Sequence, residues 1–276
     1  MTHNRCDAFH QLHQSGCFVI PNPWDAGSAR VLVQLGFKAL ATTSSGFAWS
    51  QGKPDNAVSL DDAIEHCRAI AASVDVPVNG DFEGGFAIEP AGVAANITLA
   101  IHTGISGVSL EDSTGDPDHP LFEFTLSVER VRAARQAIDR ARLGTILTGR
   151  SEGFIVGRPD LDETIRRLVA YAEAGADCLY APGLRTHDDI AAVVRAVSPK
   201  PVNVLVGSDF TTIDDLARLG VRRISVGGAL ARAAWGGFLG AAREIATTGR
   251  FTLLGTAAPF AEVNALFGRD PKGTSR

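Results

Sequence analysis

Eight short apolar segments recur along the chain, and most are followed by a stretch with helical periodicity. The segments are CFVIPNP from Cys17, ALATTSS from Ala39, VPVNGDFE from Val76, GVSLED from Gly107, TILTGRSE from Thr145, CLYAPG from Cys178, PVNVLVG from Pro201 and RISVGGA from Arg223. Apolar residues spaced three and four apart predict helices in AGSARVLVQLGF, SLDDAIEHCRAIAASV, SVERVRAARQAID, LDETIRRLVAYAEAG and TIDDLARLG. Eight strand-helix repeats without a linker favour a closed parallel barrel. The sequence therefore predicts an α/β fold of the (β/α)₈ TIM barrel type.

Local signals mark the expected ends of the helices. Two spacings resemble capping pairs at helix starts, namely Ser59 with Asp62 and Thr211 with Asp214. Glycines stand where three helices should stop, at Gly36, Gly175 and Gly220.

The C-terminal region holds more helix than one barrel repeat requires. We expect a single domain over residues 1–276, with the barrel at about 15–240, a helical extension at 241–268 and a frayed tail at 269–276. The extension is expected to pack on the barrel base or on a neighbouring subunit.

Composition excludes several classes of function. The 276 residues carry a formal net charge of -5, are 45% hydrophobic and include 29 glycines, as is typical of an enzyme with many tight turns. An acidic chain lacks the basic surface that binds nucleic acid or an anionic membrane, so we expect neither partner. No apolar segment approaches the roughly 20 residues of a membrane span. We expect a cytoplasmic protein that acts on a small molecule.

Cysteine and lysine usage narrows the chemistry further. The four cysteines form no CxxC pair, so neither a disulfide framework nor a zinc site is indicated. Lys38 and Lys200 precede strands, Lys53 lies in a loop and Lys272 in the tail, which argues against Schiff-base and pyridoxal phosphate chemistry. GxGxxG, HExxH and P-loop motifs are absent. His119 in DPDHP is the one loop histidine with a candidate role.

Charged and polar side chains gather where the predicted strands end, which is the catalytic face of such a barrel. They are Ser44, Ser45, Gly46, Asp81, Glu83, Glu111, Asp112, Arg150, Glu152 and, within the seventh strand, Asn203. Several carboxylates at one barrel mouth repel one another unless a cation neutralises them. Oxygen ligands suit Mg²⁺, with Mn²⁺ as an alternative. We therefore predict a divalent metal site at the acids that follow Val78.

These residues also have structural interpretations. A single acid at the end of a strand often serves only as a helix N-cap. Asp81, Glu83 and Glu111 follow neighbouring strands in apolar surroundings, which favours a shared ligand set. Arg150 could pair with these acids structurally, or it could balance the negative charge of a bound oxyanion. The sequence leaves both roles open.

Seven motifs occur in a defined order over roughly residues 17–240. They are PNPWDAGSARVLVQLGFKAL, TTSSGFAWSQGKPD, NGDFEGGF, GVSLEDSTGD, LTGRSEGF, EAGADCLYAPG and PVNVLV. Each is weak alone, but the ordered set resembles the isocitrate lyase/phosphoenolpyruvate mutase superfamily. The resemblance implies a (β/α)₈ barrel whose terminal helix is exchanged between subunits. It also implies a homo-oligomer, either a dimer or a tetramer of paired dimers.

The resemblance further implies roles for individual residues. Asp81 resembles the direct Mg²⁺ ligand, while Glu83 and Glu111 resemble acids that hold the metal through water. Asp55 resembles the acid of a mobile loop after the second strand. Arg150 resembles the arginine that contacts the enolate or the transferred group. Glu111 is placed with Asp55 and Arg150 in the expected catalytic set.

The expected substrate site follows from the same resemblance. The segment Ser44-Ser45-Gly46-Phe47 resembles the one whose backbone N–H groups and hydroxyls bind the substrate carboxylate. Arg150 and Asn203 complete the expected substrate-binding set.

Several departures from the family pattern bear on the substrate. A KKCGH-like cysteine loop of the isocitrate and methylisocitrate lyases is replaced here by STGDPDHPLFEF, which has neither Cys nor Lys. The same segment lacks the Lys and Asn that resemble phosphonate-handling residues. Asn79 occupies the position where the family often has the first acid of the run at the end of the third strand. The loop after the second strand is about two residues shorter than in the family.

The chain is therefore predicted to be a Mg²⁺-dependent lyase. It would cleave a carbon–carbon bond in a small 2-oxo or 2-hydroxy carboxylic acid through a metal-stabilised, pyruvate-type enolate. One alternative is a phosphonopyruvate-type mutase or hydrolase, and another is a non-catalytic barrel that binds an oxo acid. The segment GFAWSQGKPDN is predicted to close over the pocket with Asp55, or else to form an ordered surface turn in which Trp49 packs on the barrel.

Overall fold

Eight parallel strands form one sheet that curls into a nearly closed barrel. In the computed structural model, which describes residues 2–268, the strands are β1 (Phe18–Ile20), β2 (Leu40–Ala41), β3 (Val78–Asp81), β4 (Gly107–Glu111), β5 (Ile146–Arg150), β6 (Cys178–Tyr180), β7 (Val202–Leu205) and β8 (Arg223–Ser225). They pair in the order β1-β8-β7-β6-β5-β4-β3-β2. A backbone hydrogen bond of 3.1 Å from Ala41 N–H to the Pro21 carbonyl bridges β1 and β2. The predicted barrel is confirmed, and each strand lies in its predicted segment.

Helices surround the barrel and extend beyond it. They are α1 (Thr2–Gln14), α2 (Ala26–Gln34), α3 (Ser44–Ser50), α4 (Leu60–Ser73), α5 (Pro90–Ile101), α6 (Phe124–Ala141), α7 (Leu161–Glu173), α8 (His187–Val197), α9 (Ile213–Arg218), α10 (Ala229–Thr248) and α11 (Phe260–Gly268), with a 3₁₀ helix at Thr252–Thr256. Helix α10 continues across residue 240, where the sequence places the end of the barrel. The expected tail at 269–276 lies outside the described residues. Within residues 2–268, no helix combines the length and hydrophobicity that a membrane crossing requires.

The helix ends carry the predicted capping residues, except that one capping pair is displaced by one residue. The Ser59 side chain accepts the Asp62 N–H at 3.2 Å and Asp62 accepts the Ser59 N–H at 3.4 Å, so the predicted capping pair is confirmed. The pair predicted at the start of α9 is wrong by one residue, because Thr212 is the N-cap and accepts the Asp215 N–H at 3.2 Å. The three predicted stop glycines all have positive φ, at Gly36, Gly175 and Gly220.

The apolar core lies between the strands and the helices, whereas the barrel interior is largely polar. Along β8, Arg223 and Ser225 line a cavity inside the barrel, while Ile224 joins the apolar cluster outside it. The same alternation along β3 turns Asn79 and Asp81 inward. Strands that were predicted from apolar segments thus also contribute polar side chains to the interior of the barrel.

Helix α1 closes the amino-terminal end of the barrel. Phe9 is fully buried and packs with a small apolar cluster that includes Ile20, Ala41 and Ile146. A Cβ at Gly107 would lie 2.6 Å from the Phe9 ring, so this close approach requires glycine. The polar N-terminal segment therefore forms a helix whose buried phenylalanine covers one end of the interior.

A buried histidine supports the helix that follows β2. His66 of α4 stacks on Phe47 of α3 with ring centroids 3.9 Å apart. The side chain is only 8% exposed and its Nε2 has no hydrogen-bond partner in the described structure. Burial lowers the pKa of His66 from 6.5 to about 4. The folded protein therefore holds this imidazole in its neutral form at neutral pH.

We predict that His66 makes folding stability depend on pH. Its folded pKa is below its unfolded pKa, so the unfolded chain takes up the proton first, and stability falls as pH drops from 6.5 toward 4. Between about pH 7.5 and pH 5 this one group should cost about 2 kcal/mol. His66→Phe keeps the ring but cannot titrate, so its unfolding free energy, measured with urea, should decline less over this range. Identical pH slopes in the two proteins would contradict the prediction.

Candidate active site

A cavity of about 170 Å³ lies inside the barrel toward the carboxyl ends of the strands. We call it the central cavity. Six of the predicted site residues line it, namely Ser44, Ser45, Asp55, Asp81, Arg150 and Asn203. Parallel strands end at the same face of a barrel, which is why residues far apart in sequence meet here.

Arg150, the last residue of β5, contacts three carboxylates. Its Nη1 lies 2.9 Å from Asp81 Oδ1 and 3.2 Å from Glu111 Oε2, and its Nε lies 2.6 Å from Glu152 Oε1. The guanidinium also lies over the Tyr180 ring, 5.1 Å from its centroid. Arg150 thereby connects the ends of β3, β4 and β5 through ion pairs, of which those to Asp81 and Glu152 are also charge-assisted hydrogen bonds.

The segment after β2 is helical where the sequence analysis expects a loop. Ser44–Ser50 forms α3, so only the residues after Ser50 form the irregular part of the segment GFAWSQGKPDN. Ser44 N–H donates to Asp81 Oδ2 at 3.0 Å, and Asp81 N–H donates to Thr42 Oγ1 at 2.7 Å. These two bonds fix the first turn of α3 against the end of β3.

Gly46 and Phe47 pack against neighbouring elements and are not among the residues that line the central cavity. A Cβ at Gly46 would lie 2.7 Å from the Thr43 side chain and 3.2 Å from Ala231 Cβ, so glycine allows α3 to pack closely. Phe47 stacks on His66. Their observed contacts are therefore structural, whereas Ser44 and Ser45 face the cavity.

Glu83 and Glu111 line a second cavity of about 300 Å³ beside the first. Glu83 has a φ of 46°, in the left-handed region that non-glycine residues rarely adopt. Burial, with the nearby charges of Asp81 and Asp55, raises the pKa of Glu83 to about 7. Burial also raises the pKa of Glu111, against the opposing effect of Arg150. The two acids thus occupy an environment that disfavours further negative charge.

Asp55 lies at the exposed rim of the central cavity. Its Oδ1 accepts the Asn56 N–H at 3.1 Å, and Asn56 has a φ of 62°. Partial burial and the charge of Asp81 raise the pKa of the Asp55 carboxyl. Its position places an acid of raised pKa at the entrance to the cavity.

Asp112 has a structural role that its place at a strand end did not reveal. It is 2% exposed and accepts hydrogen bonds from the Tyr171 hydroxyl at 2.6 Å, from Arg167 at 3.1 Å and from the Glu152 N–H at 2.8 Å. Asp112 therefore anchors the backbone that presents Glu152 to Arg150.

The donor set fits a divalent cation. Arg150 is surrounded by five carboxyl groups, those of Asp55, Asp81, Glu83, Glu111 and Glu152. Carboxyl groups therefore outnumber the one guanidinium at this end of the barrel. Over residues 4–268, no three His, Cys, Asp or Glu side chains are arranged to hold a metal ion together. Mg²⁺ sites in proteins often use only one or two carboxylates together with several waters.

Sequence reasoning missed some residues of the central cavity, and some of the residues that it singled out lie elsewhere. Asn22, Tyr180 and Arg223 line the cavity but were not predicted. The signal for Arg223 is its place in RISV, where a strand residue two positions from a serine shares its face. His119 lies instead on a separate surface cavity and is 3.5 Å from Asp116.

The chain belongs to the phosphoenolpyruvate phosphomutase family, whose sequence model matches residues 9–246. The resemblance to the isocitrate lyase/phosphoenolpyruvate mutase superfamily is thereby confirmed. The family is described by a phosphomutase, and relatives include a lyase and a hydrolase, which identifies the chain as a member of an enzyme superfamily.

Two relatives show the breadth of the similarity. An uncharacterized protein of Mycobacterium tuberculosis H37Rv is 31% identical over 263 residues, covering 94% of this chain and 95% of the relative. An oxaloacetate decarboxylase of Rhodopseudomonas palustris BisB5 is 28% identical over 226 residues, covering 78% of this chain and 74% of the relative.

Solved structures share the same architecture. A protein of Burkholderia cenocepacia J2315, provisionally assigned as a lyase or mutase, is 49% identical with a TM-score of 0.93, covering 96% of this chain and 97% of that one. A phosphonopyruvate hydrolase in complex with oxalate and Mg²⁺ is 26% identical with a TM-score of 0.84, covering 96% of this chain and 95% of that one.

Proposed function

We propose that this chain is a Mg²⁺-dependent lyase that cleaves a carbon–carbon bond in a small 2-oxo or 2-hydroxy carboxylic acid. The observation that carries the proposal is the meeting of Arg150, Asp81 and Ser44 on one small polar cavity. The similarity to an oxaloacetate decarboxylase and to a phosphonopyruvate hydrolase with oxalate and Mg²⁺ supports the same substrate class.

The residues of the cavity divide the chemical tasks. Ser44 and Ser45 would bind the substrate carboxylate through hydroxyl and backbone N–H groups. Arg150 would offset the negative charge that grows on the substrate oxygen as the bond breaks, in a partly buried site where such contacts are strong. Asp55, at the rim, would exchange a proton with the departing fragment through its carboxyl.

The carboxylates below the rim would hold the cation. Asp81 would hold Mg²⁺ directly and Glu83 and Glu111 through water, and the ion when bound supplies Lewis acidity to the substrate oxygens. The raised pKa of Glu83 reflects burial beside like charges, a situation that a cation relieves.

A substrate panel tests the proposed reaction. Purified protein with Mg²⁺ is incubated with oxaloacetate, malate-type acids and phosphonopyruvate, and pyruvate and phosphate are measured. Formation of pyruvate or another oxo acid from oxaloacetate or the malate-type acids supports the lyase proposal. Turnover of phosphonopyruvate alone would support the phosphorus–carbon alternative, and saturable binding without turnover would support a non-catalytic barrel.

We predict that removal of the Asp81 carboxylate abolishes Mg²⁺ binding. Glu83→Gln and Glu111→Gln should weaken it only about 10- to 100-fold, as expected for acids that act through water. Isothermal titration calorimetry with Mg²⁺ measures all three variants against wild type, and circular dichroism checks folding. Equal Mg²⁺ affinity in Asp81→Ala and wild type would remove the assignment.

We predict that Asp55→Asn lowers turnover on the best panel substrate by about a hundredfold or more, as loss of a general acid or base does. Mg²⁺ affinity should hardly change, because Asp55 is not assigned to the metal. Asp61→Asn, an exposed acid in the first turn of α4, is the matched control and should retain wild-type turnover. Full activity of Asp55→Asn would assign the loop to the scaffold.

We also propose that the chain assembles as a homodimer or tetramer with its C-terminal helices exchanged between subunits. Large apolar side chains are exposed there, with Phe238 at 60%, Phe251 at 64% and Phe260 at 85%. Patches of this kind mark association surfaces. Light scattering after size exclusion should give a mass of two or four times 29.0 kDa, reduced in Phe260→Asp. A wild-type mass of 29.0 kDa would contradict the proposal.

A further inference from the structure

Arg223 is a buried arginine inside the barrel whose described partners are all uncharged. It is 3% exposed; its Nε donates to Asn203 Oδ1 at 2.9 Å and its Nη2 to Thr148 Oγ1 at 3.0 Å. Its Nη1 lies 3.4 Å from His13 Nε2. Over residues 4–268, no carboxylate lies within ion-pair distance of Arg223.

His13 accepts from Arg223 without adding or removing charge. Burial, with the charge of Arg223, lowers the pKa of His13 to about 3, so the imidazole is neutral. Its Nδ1 lies 2.8 Å from the Phe9 carbonyl oxygen, which requires the proton on Nδ1 and leaves Nε2 as an acceptor. The positive charge of Arg223 is therefore not balanced by any of its three contacts.

The two arginines that line the central cavity differ in this respect. Arg150 contacts three carboxylates, whereas Arg223 contacts only amide, hydroxyl and imidazole groups. Removing a cation from water is strongly unfavourable when no opposite charge accompanies it. Three acceptors also use only three of the five N–H donors of a guanidinium. Arg223 thus retains both charge and donor capacity.

The cavity wall carries a second unsatisfied group. Asn79 is 3% exposed and lines the same cavity, and its Oδ1 is buried without a hydrogen-bond partner in the described structure. Buried polar atoms in proteins are nearly always bonded to protein, water or ligand. Asn79 Oδ1 is an acceptor, so it needs a donor such as the hydroxyl of a 2-hydroxy acid. The acids of this cavity do not balance the charge of Arg223, because Asp55 lies at the rim and Asp81 is bonded to Arg150 and to Ser44 N–H.

We propose that Arg223 and its neighbour Ser225 bind the second carboxylate of a short dicarboxylic 2-oxo or 2-hydroxy acid. The other end of this acid would lie at Ser44 and Arg150, on the same cavity. The inference rests on the proposed function and narrows the substrate from any small oxo acid to one that carries a carboxylate at each end. Arg223 is then a residue that determines specificity.

A matched pair of ligands isolates the second carboxylate. Malate differs from lactate by one carboxylate in place of a hydrogen, and both carry the 2-hydroxy acid group. Binding of each to wild type, Arg223→Gln and Arg222→Gln is measured by isothermal titration calorimetry with saturating Mg²⁺. Arg222 is the control because it is adjacent, half-buried and bonded to the Gly16 carbonyl oxygen.

Wild type should bind malate at least about tenfold more tightly than lactate, since a charge-assisted pair is worth about that factor or more. Arg223→Gln should lose this preference through weaker malate binding alone, with lactate affinity unchanged, and Arg222→Gln should keep it. If Arg223→Gln does not fold, Arg223→Lys takes its place. Lysine keeps the positive charge but lacks the planar guanidinium, so the preference for malate should be reduced but not abolished.

Binding and turnover separate this proposal from the proposed function. A malate preference that depends on Arg223 supports the subsite even if the substrate panel shows no reaction. Equal affinities for malate and lactate in wild type, or a preference that persists in Arg223→Gln, would overturn the subsite and assign Arg223 to the scaffold. Either result leaves the lyase proposal to be judged on its own panel.

Discussion

The site is organised by the contacts of Arg150 with carboxylates from three consecutive strand ends. Asp81, Glu111 and Glu152 come from segments that the chain keeps far apart, and one planar guanidinium brings their oxygens to between 2.6 and 3.2 Å of its nitrogens. Without a cation at this point the acids would repel one another in a poorly hydrated space. Arg150 compensates only part of this negative charge.

The position of each acid is set by bonds from outside the charge cluster. The α3 helix reaches Asp81 through Ser44 N–H, and Thr42 holds the Asp81 backbone. On the opposite side, Asp112 holds the Glu152 backbone and is itself bonded to Tyr171 and Arg167. Buried groups bonded in this way lose little freedom when a substrate arrives, which is the requirement for electrostatic stabilisation of a developing charge.

Much of the architecture could be predicted because alternation of strands and helices leaves a clear pattern in sequence. The errors have local physical causes. Thr211 with Asp214 and Thr212 with Asp215 both satisfy the spacing of a capping pair, so sequence cannot choose between them. Helix α3 begins shortly after β2, with Thr43 as its N-cap, and its Gly46 lowers helix propensity while allowing close packing with Ala231.

The sequence by itself determined the barrel class and the set of acids at the strand ends, since both depend on residue order and short spacings. Only the tertiary structure decided which of these side chains meet: Arg150 pairs with Asp81 at a separation of 69 positions, and Asp112 turns away from the cavity that its neighbour Glu111 approaches. It also decided that Arg223 has neutral partners, because those partners come from strands and a helix brought together by closure of the barrel. Hydrogen bonds and charges act over a few ångströms in space, and that distance is set by the folded chain rather than by sequence separation.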